Sequence, residues 1–198
     1  RVGDVLVVEK AGKVIPHVVR VEKHLRQQQL PVWFPPSDCP ECHSPLVRDP
    51  EGVYIRCPNV DCPARCRERI RFFASRGAMD IEGLGDKLVE QLVATGLVTQ
   101  YADLYALDAK QLEPLERMGK KSAAALVEQI AASRDRGLVR VLNALAIRHV
   151  GPRVASLLAS RFPSIQQLAA ASEEELAAVP EIGPAIAAGC AMVIKPSE

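Results

Sequence analysis

The stretch Ile81-Glu82-Gly83-Leu84-Gly85 decides the fold, because its pattern recurs along the chain: an apolar residue, two variable residues, a second apolar residue and glycine. The further copies are Leu115-Glu116-Arg117-Met118-Gly119, Ile147-Arg148-His149-Val150-Gly151 and Val179-Pro180-Glu181-Ile182-Gly183. Their final glycines follow one another at intervals of 34, 32 and 32 residues. Such regular recurrence indicates an internal repeat.

A helical pattern follows each final glycine. Apolar residues recur four and seven positions after it in every copy, and this spacing places them on one face of a helix. They are Val89, Ala123, Ala155 and Ala187 at the fourth position, and Leu92, Leu126, Leu158 and Cys190 at the seventh. The sequence therefore predicts a mainly α protein built on four helix-hairpin-helix repeats.

The final glycine of each copy stands where a tight turn enters a helix. This place predicts a permissive backbone conformation and a close approach of another molecule. A helix start also presents unpaired N–H groups and the positive end of the helix dipole, which together can hold a phosphate. Turns of this kind also occur in ordinary helical bundles, but four copies in register favour a surface that binds a phosphate backbone.

The charges of the side chains beside these glycines differ between the copies. A lysine or arginine follows the first three, whereas the fourth has no base nearby and carries Glu181. Copy four should be the weakest phosphate binder or purely structural, and the lysines of the others are either phosphate contacts or ordinary surface residues. The candidate contacts are Gly83, Gly85, Lys87, Arg117, Gly119, Lys120, Lys121, His149, Gly151, Arg153 and Gly183.

Four of the six cysteines form two close pairs, Cys39-x2-Cys42 and Cys57-x4-Cys62. Two such pairs separated by a short insert fit a tetrahedral site of four thiolates, which predicts a structural Zn²⁺ with no open position. Two disulfides are the alternative, and a cytosolic chain without a signal peptide disfavours them. His43 is either a substitute ligand or a surface histidine.

Helical residues follow the last of these cysteines. Residues 64–77 have apolar positions on one side, five arginines elsewhere and Gly77 as the expected C-cap. The arginines form either a solvated face or a contact to a nucleic-acid backbone. Cys66 and Cys190 occupy apolar helix positions and should be buried.

Short strands are expected before the helical part. Valine-rich residues 2–8 and 14–21 predict two strands that need a larger sheet or barrel to form a core. Residues 53–55 predict a further strand after a turn at 49–52. Residues 31–36 should form a stiff, proline-rich link.

Composition excludes several classes of protein. The chain has 198 residues and 48% hydrophobic content, which excludes wholesale disorder. The net charge of +1 disfavours a generic polyanion binder, although residues 1–78 hold 13 basic against 9 acidic side chains. The absence of a span-length apolar run or signal peptide predicts no membrane partner and a cytosolic location. Both ends look cut from a larger protein.

The order of these features resembles the C-terminal half of bacterial NAD-dependent DNA ligases. Residues 2–4 and 11–16 are similar to the end of that family's OB domain, and Cys57-Pro-Asn-Val-Asp-Cys62-Pro-Ala to its zinc finger. Residues 79–85 and 147–151 are similar to its first and third hairpins. The resemblance covers essentially the whole chain. It implies an OB segment at 1–30, a zinc finger at 31–63, a linker helix at 64–78 and hairpins at 79–195.

The same resemblance implies a function. It implies the DNA-binding segment of a ligase that seals nicks in duplex DNA during replication and repair, gripping the minor-groove phosphate backbone around the nick. The implied cofactors are structural Zn²⁺ at Cys39, Cys42, Cys57 and Cys62, with NAD and Mg²⁺ used by the parent enzyme. The implied state is a monomer on nicked double-stranded DNA in the bacterial cytoplasm, associated with the nucleoid.

The chain departs from that family's pattern in two ways. Only the first hairpin has glycine at the inner position, where the others have Arg117, His149 and Glu181. No lysine is followed by x-Asp-Gly, the family's adenylation motif, so this segment should be inactive by itself, with no catalytic residue. Two alternatives remain: a stand-alone zinc-containing helix-hairpin-helix module of a repair or recombination protein, and a zinc-stapled domain that binds protein.

Overall fold

The computed structural model of the chain describes residues 1–12, 15–49 and 53–194. It has two compact units, Arg1–Arg56 and Cys57–Glu198. Part of the predicted turn at 49–52, Lys13 between the predicted strands, the predicted strand residue Val14 and the last four residues lie outside the described ranges.

The first unit contains the predicted strands. Strand β1 (Leu6–Ala11) pairs antiparallel with β2 (Ile15–Val21), with an irregularity between Val7 and Val8. The predicted start of β1 at Val2 is wrong, because residues 1–4 form a turn in which Gly3 has a φ of 93°. Six of the seven residues of β2 are exposed, which agrees with the expectation that two strands form no core.

Further along this unit, two short strands meet. Strand β3 (Val47–Arg48) pairs antiparallel with β4 (Ile55–Arg56). The predicted strand at 53–55 therefore begins later, at Ile55, because the backbone before it bends back to Asp49, whose N–H donates to Tyr54 O at 3.0 Å.

The second unit is helical. Its described helices are α1 (Pro63–Ala74), α2 (Asp86–Ala94), α3 (Tyr101–Leu104), α4 (Ala109–Leu112), α5 (Lys120–Ser133), α6 (Leu138–Ala144), α7 (Pro152–Arg161), α8 (Ile165–Ala170), α9 (Glu173–Ala177) and α10 (Pro184–Ile194). Each copy of the five-residue pattern lies between two helices. We call the copies in α1–α5 the first hairpin pair and those in α6–α10 the second hairpin pair.

Each pair has its own hydrophobic core. The first is formed by buried residues between Cys66 and Ala144, and the second by residues between Leu142 and Cys190. All eight residues of the predicted helix stripe are buried, including both valine and leucine positions of the first copy and Cys190 of the last. Cys66 is buried as predicted, and burial raises the pKa of its thiol.

Helix α1 ends differently from the prediction. Gly77 is not its C-cap, because the helix stops at Ala74 and Ser75 is already extended. The chain then turns back, so that N–H groups from Met79 and Ile81 donate to the carbonyls of Phe73 and Ala74 at 2.9 Å each. Tertiary backbone hydrogen bonds therefore satisfy carbonyls that a glycine cap would otherwise serve.

Polar side chains of α6 and of the segment just before it hold this returning segment. Asn143 Nδ2 donates to Gly77 O at 2.9 Å, and Arg140 Nη1 to Ala78 O at 2.8 Å. Arg136 Nη2 donates to Asp80 O at 3.1 Å and lies 3.2 Å from its carboxylate. Because Asn143 is buried and donates to a backbone carbonyl, the two hairpin pairs are joined by a specific polar junction.

Candidate nucleic-acid interface and metal centre

The four copies share a backbone geometry. In each, the N–H of the second apolar residue donates to the carbonyl of the first, and the residue between them, two places before the final glycine, has positive φ. The φ values are 87° at Gly83, 63° at Arg117, 67° at His149 and 69° at Glu181. Positive φ at the third residue is what a type II turn requires, so the inner position favours glycine, although only the first copy has it.

The final glycines behave differently from the expectation. Gly85, Gly119 and Gly151 cap their helices with extended backbone and negative φ, so no permissive conformation is needed there. A Cβ added at any of the four final glycines would meet nothing within 4 Å. The fold itself therefore does not exclude a side chain at these positions. What their glycines provide is open space directly above the start of a helix.

The helix starts offer different numbers of backbone donors in the two pairs. In the first pair, Asp86 and Lys120 follow the final glycines, and both have an N–H. In the second pair the same place is taken by Pro152 and Pro184, which lack one. The second pair can therefore donate one hydrogen bond fewer at each helix start.

The first hairpin pair encloses an open groove of about 710 Å³. Gly83, Gly85, Lys87 and Arg117 line it together, whereas Gly119 is not among its lining residues. Lys87 Nζ lies 3.0 Å from Glu90, which lowers the pKa of that carboxyl, and Arg117 Nε lies 3.6 Å from Glu116. The side chains of Lys87 and Arg117 remain 86% and 87% exposed, so both can reach an external anion.

Lys120 and Lys121 lie at the other helix start of the first pair, outside the lining of this groove. Both are exposed in the first turn of α5, directly after Gly119. Ser122 Oγ lies 2.9 Å from the Gly119 N–H and accepts a hydrogen bond from it. Copy two therefore combines two exposed lysines with a partly satisfied helix start.

A side-chain amide fixes the first pair internally. Gln91 Oε1 accepts from the Glu116 N–H at 2.7 Å, and Gln91 Nε2 donates to Glu116 O at 3.4 Å. Sequence reasoning missed this residue. The signal lay in the comparison of copies, because Gln91 is polar where the third copy has Leu157 at the same distance from its glycine.

The second hairpin pair is joined in another way. Arg153 Nη2 donates to Glu181 Oε1 at 2.7 Å, and this hydrogen bond raises the pKa of the guanidinium. His149 and Gly151 line a separate groove of about 510 Å³ beside Phe72. Of the predicted contacts, Arg153 is thus hydrogen-bonded to a residue of the neighbouring hairpin. Gly183 is exposed but lines neither of these two grooves.

The four predicted ligands form a metal centre. The sulfur atoms of Cys39, Cys42, Cys57 and Cys62 all lie within 4.8 Å of one another. A tetrahedron with Zn–S bonds of about 2.3 Å places its sulfurs about 3.8 Å apart, so the cluster fits a Zn²⁺ ion. No disulfide joins any of the six cysteines, all of which lie in the described ranges.

The turn that carries Cys39 and Cys42, which we call the first knuckle, shows why His43 is not needed as a ligand. His43 has a φ of 56° and its N–H donates to Cys39 O at 2.9 Å, while its side chain is exposed. Cys39 N–H in turn donates to Ser44 O at 2.9 Å. His43 therefore shapes the turn through its backbone and lies outside the cysteine cluster.

Arginines of α1 hold the loop that carries Cys57 and Cys62, which we call the second knuckle. Arg65 Nη1 donates to Pro58 O at 2.9 Å and to Asn59 O at 3.0 Å, and Arg69 Nη2 donates to Val60 O at 3.1 Å. Arg65 and Arg69 therefore do not form a purely solvated face, and a contact of these arginines to a nucleic-acid backbone stays a prediction. They fix the loop between Cys57 and Cys62 to helix α1, which follows it.

The fold and these two sites define a class: a helix-hairpin-helix protein with a four-cysteine structural zinc site. Family models match the same parts of the chain. Residues 38–64 match the NAD-dependent DNA ligase C4 zinc finger domain, 76–132 a SAM-like helix-hairpin-helix tandem and 140–193 a helix-hairpin-helix motif.

Curated relatives give the same result over most of the chain. The DNA ligase of Rhodopirellula baltica is 48% identical over 202 residues, covering 94% of this chain and 29% of the relative. The DNA ligases of Pelotomaculum thermopropionicum and Chlorobium luteolum are 50% and 52% identical, covering 95% and 94% of this chain and 28% of each relative. The chain thus spans less than a third of the length of these relatives.

Over most of its length the chain is therefore similar to a zinc-finger and helix-hairpin-helix segment of DNA ligases, and its zinc finger matches the domain model of the NAD-dependent ligases. This finding favours the predicted ligase segment over a stand-alone module or a protein-binding domain. The zinc finger match and the sulfur cluster together identify Zn²⁺ as its structural metal. Among the described residues, no helix is both long and apolar enough to cross a membrane.

Proposed function

We propose that the chain grips the phosphate backbone of duplex DNA, in the minor groove around a nick, for a ligase that uses NAD. The observation that carries the proposal is the groove of the first hairpin pair, where the open helix start at Gly85 meets the exposed side chains of Lys87 and Arg117. Lys120 and Lys121 are exposed at the other helix start of the same pair. Backbone N–H groups and cations arranged in this way bind phosphates without reading sequence. The name DNA ligase of the relatives supports this substrate.

The zinc centre has a structural role in this proposal. Four thiolates complete a tetrahedral Zn²⁺ shell, and when bound the ion holds both knuckles together without taking part in chemistry. We propose that NAD and Mg²⁺ are used elsewhere in the parent enzyme, since no Lys-x-Asp-Gly motif is present here. The chain should therefore form no covalent adenylate with NAD. It should act as a monomer on chromosomal DNA of the bacterial nucleoid.

A binding experiment tests the proposal. The chain is titrated onto fluorescently labelled duplexes, one nicked and one intact, over a series of salt concentrations. The affinity should fall steeply with salt and vary little with base sequence, because the contacts are to phosphates. Absence of duplex binding, or strong selectivity for a base sequence, would overturn the proposed function.

A further inference from the structure

The two hairpin pairs carry opposite charges at one equivalent pair of positions. In the first copy of each pair, the residue two places after the final glycine is Lys87 or Arg153. In the second copy of each pair, the residue two places before the final glycine is Arg117 or Glu181. The first pair thus places two cations at positions where the second pair has an ion pair of 2.7 Å. Lys87 and Arg117 are each paired with an acid close in sequence, Glu90 at 3.0 Å and Glu116 at 3.6 Å, whereas the Arg153–Glu181 pair joins two hairpins.

A second difference shows why the ion pair belongs to the second pair alone. Gln91 joins the hairpins of the first pair through the N–H and carbonyl of Glu116, and this contact uses neither base. The equivalent residues in the second pair are Leu157 and Pro180. Leucine has no polar group and proline has no N–H, so this bridge cannot form. Arg153 and Glu181 supply a connection between the hairpins in its place.

We propose that the Glu181 carboxylate occupies the place of a DNA phosphate on Arg153, and so determines how weakly the second hairpin pair holds DNA. The inference rests on the proposed function, since it concerns how the same DNA is shared between the two pairs. A carboxylate and a phosphate oxygen make the same charge-assisted hydrogen bond with a guanidinium. While Glu181 holds Arg153 its carboxylate neutralises the guanidinium, so a phosphate binds Arg153 more tightly once Glu181 releases it.

The exposure of the ion pair makes such an exchange feasible. The side chains of Arg153 and Glu181 are 78% and 48% exposed. Ion pairs in this setting contribute little to stability, so a phosphate can compete for Arg153. Glu181 acts here as a residue that sets affinity, and its removal has two effects: it frees one cation and removes one like charge from the DNA face.

The test uses the whole 198-residue chain and a labelled nicked duplex. Glu181→Gln should raise the affinity about threefold to tenfold and steepen the slope of log affinity against log salt by about 0.9, the value for one more phosphate contact. Glu181→Gly should do the same, and it also relieves the positive φ at this position. Arg153→Gln should have little effect alone and should cancel the gain when combined with Glu181→Gln.

A matched control removes a charge without opening the pair. Glu174 is an exposed glutamate of α9, and Glu174→Gln should leave the salt slope unchanged. The inference is overturned if both Glu181 variants bind with the parent affinity and slope, or if Glu174→Gln gives an equal gain. If the parent chain binds no duplex at all, the proposed function fails together with it; if it binds and loses affinity on Lys120→Ala plus Lys121→Ala, only the inference is at stake.

Discussion

The first and second hairpin pairs share a turn geometry but differ in what surrounds it. Both place a positive-φ residue and an extended glycine before a helix, and both bury the same helix stripe. The first pair adds exposed bases and a neutral amide bridge, whereas the second adds prolines and an internal ion pair. A repeated backbone therefore does not imply a repeated function, because the side chains facing the partner hairpin decide which cations are available.

Removing the zinc ion should produce the largest effect, and it should fall first on the first pair. The arginines that hold the second knuckle belong to α1, and a structural Zn²⁺ contributes about 10–16 kcal/mol in zinc-finger peptides. Chelation should raise hydrogen exchange in residues 57–74 before residues 152–194. Equal loss of protection in both pairs would contradict the comparison.

Thiol counting serves as the control for the same experiment. Cys190 should stay unreactive after chelation, because its thiol is buried in the second pair and this burial raises its pKa. The four ligand cysteines should become reactive. Reaction of all six would indicate global unfolding, and a chain that binds no zinc in metal analysis would refute the metal assignment.

Lysines of the first pair should outweigh the arginine of the second in DNA binding. Lys120→Ala plus Lys121→Ala should reduce the salt slope by about 1.8 and the affinity on the order of tenfold to a hundredfold, because two phosphate contacts are lost. Arg153→Ala should change both only slightly. Lys110→Ala, on α4 away from the turns, is the matched control, and equal effects at Lys110 and Lys120/Lys121 would break the comparison.

Gln91→Ala should lower the stability of the first pair by about 1–2 kcal/mol, since two hydrogen bonds to Glu116 are lost. Chemical denaturation measures the change in the free energy of unfolding. The exposed Gln166 is a suitable control, and Gln166→Ala should change stability by under about 0.5 kcal/mol. An unchanged stability for Gln91→Ala would show that the bridge does not connect the hairpins energetically.

The smallest difference between the two pairs should be in how the short helices that connect their hairpins, α3 and α8, respond to pH. Asp103 of α3 accepts from the Thr99 and Gln100 N–H groups, and these hydrogen bonds lower the pKa of its carboxyl. The folded pKa thus lies below the unfolded value of about 3.9, so the stabilisation is full above that pH and is lost as pH falls through the folded pKa.

Asp103→Ala should therefore cost under about 1 kcal/mol at neutral pH, because its exposed capping-box hydrogen bonds are screened by solvent, and progressively less in acid. The residue for comparison is Ser164, the N-cap of α8, whose hydroxyl accepts from the Gln167 N–H. Ser164→Ala should cost a similar amount at every pH, because a hydroxyl does not titrate in this range. Unfolding curves over a pH series check both, and a pH-independent cost at Asp103 would contradict the assignment.

Much of this arrangement could be predicted from local pattern. Val89 and its counterparts recur with helical spacing, and Cys39 and its partners have zinc-ligand spacing, so burial and clustering followed from the chain itself. The contacts of Gln91 and Arg153 could not be predicted in this way. They depend on how two hairpins face each other, and this information lies in no single copy.

The errors were also local ones. Gly77 looks like a helix cap, but tertiary hydrogen bonds from Met79 and Ile81 end α1 earlier. The sequence pattern predicts a permissive backbone at the final glycines, but this prediction is wrong, because the positive φ falls on the inner residue of each turn, including Arg117, His149 and Glu181. A sequence motif marks a turn more reliably than it marks which of its residues the turn constrains.

The inner residue of each turn is also a position at which protein engineers can change binding strength and stability. It is exposed in all four copies and lies outside both cores, so its side chain can be exchanged without repacking the protein. Left-handed backbone costs a non-glycine residue about 1–2 kcal/mol, and glycine at Arg117, His149 or Glu181 would recover part of it. A small combinatorial library at these four sites would allow binding strength and thermal tolerance to be adjusted together, one hairpin at a time.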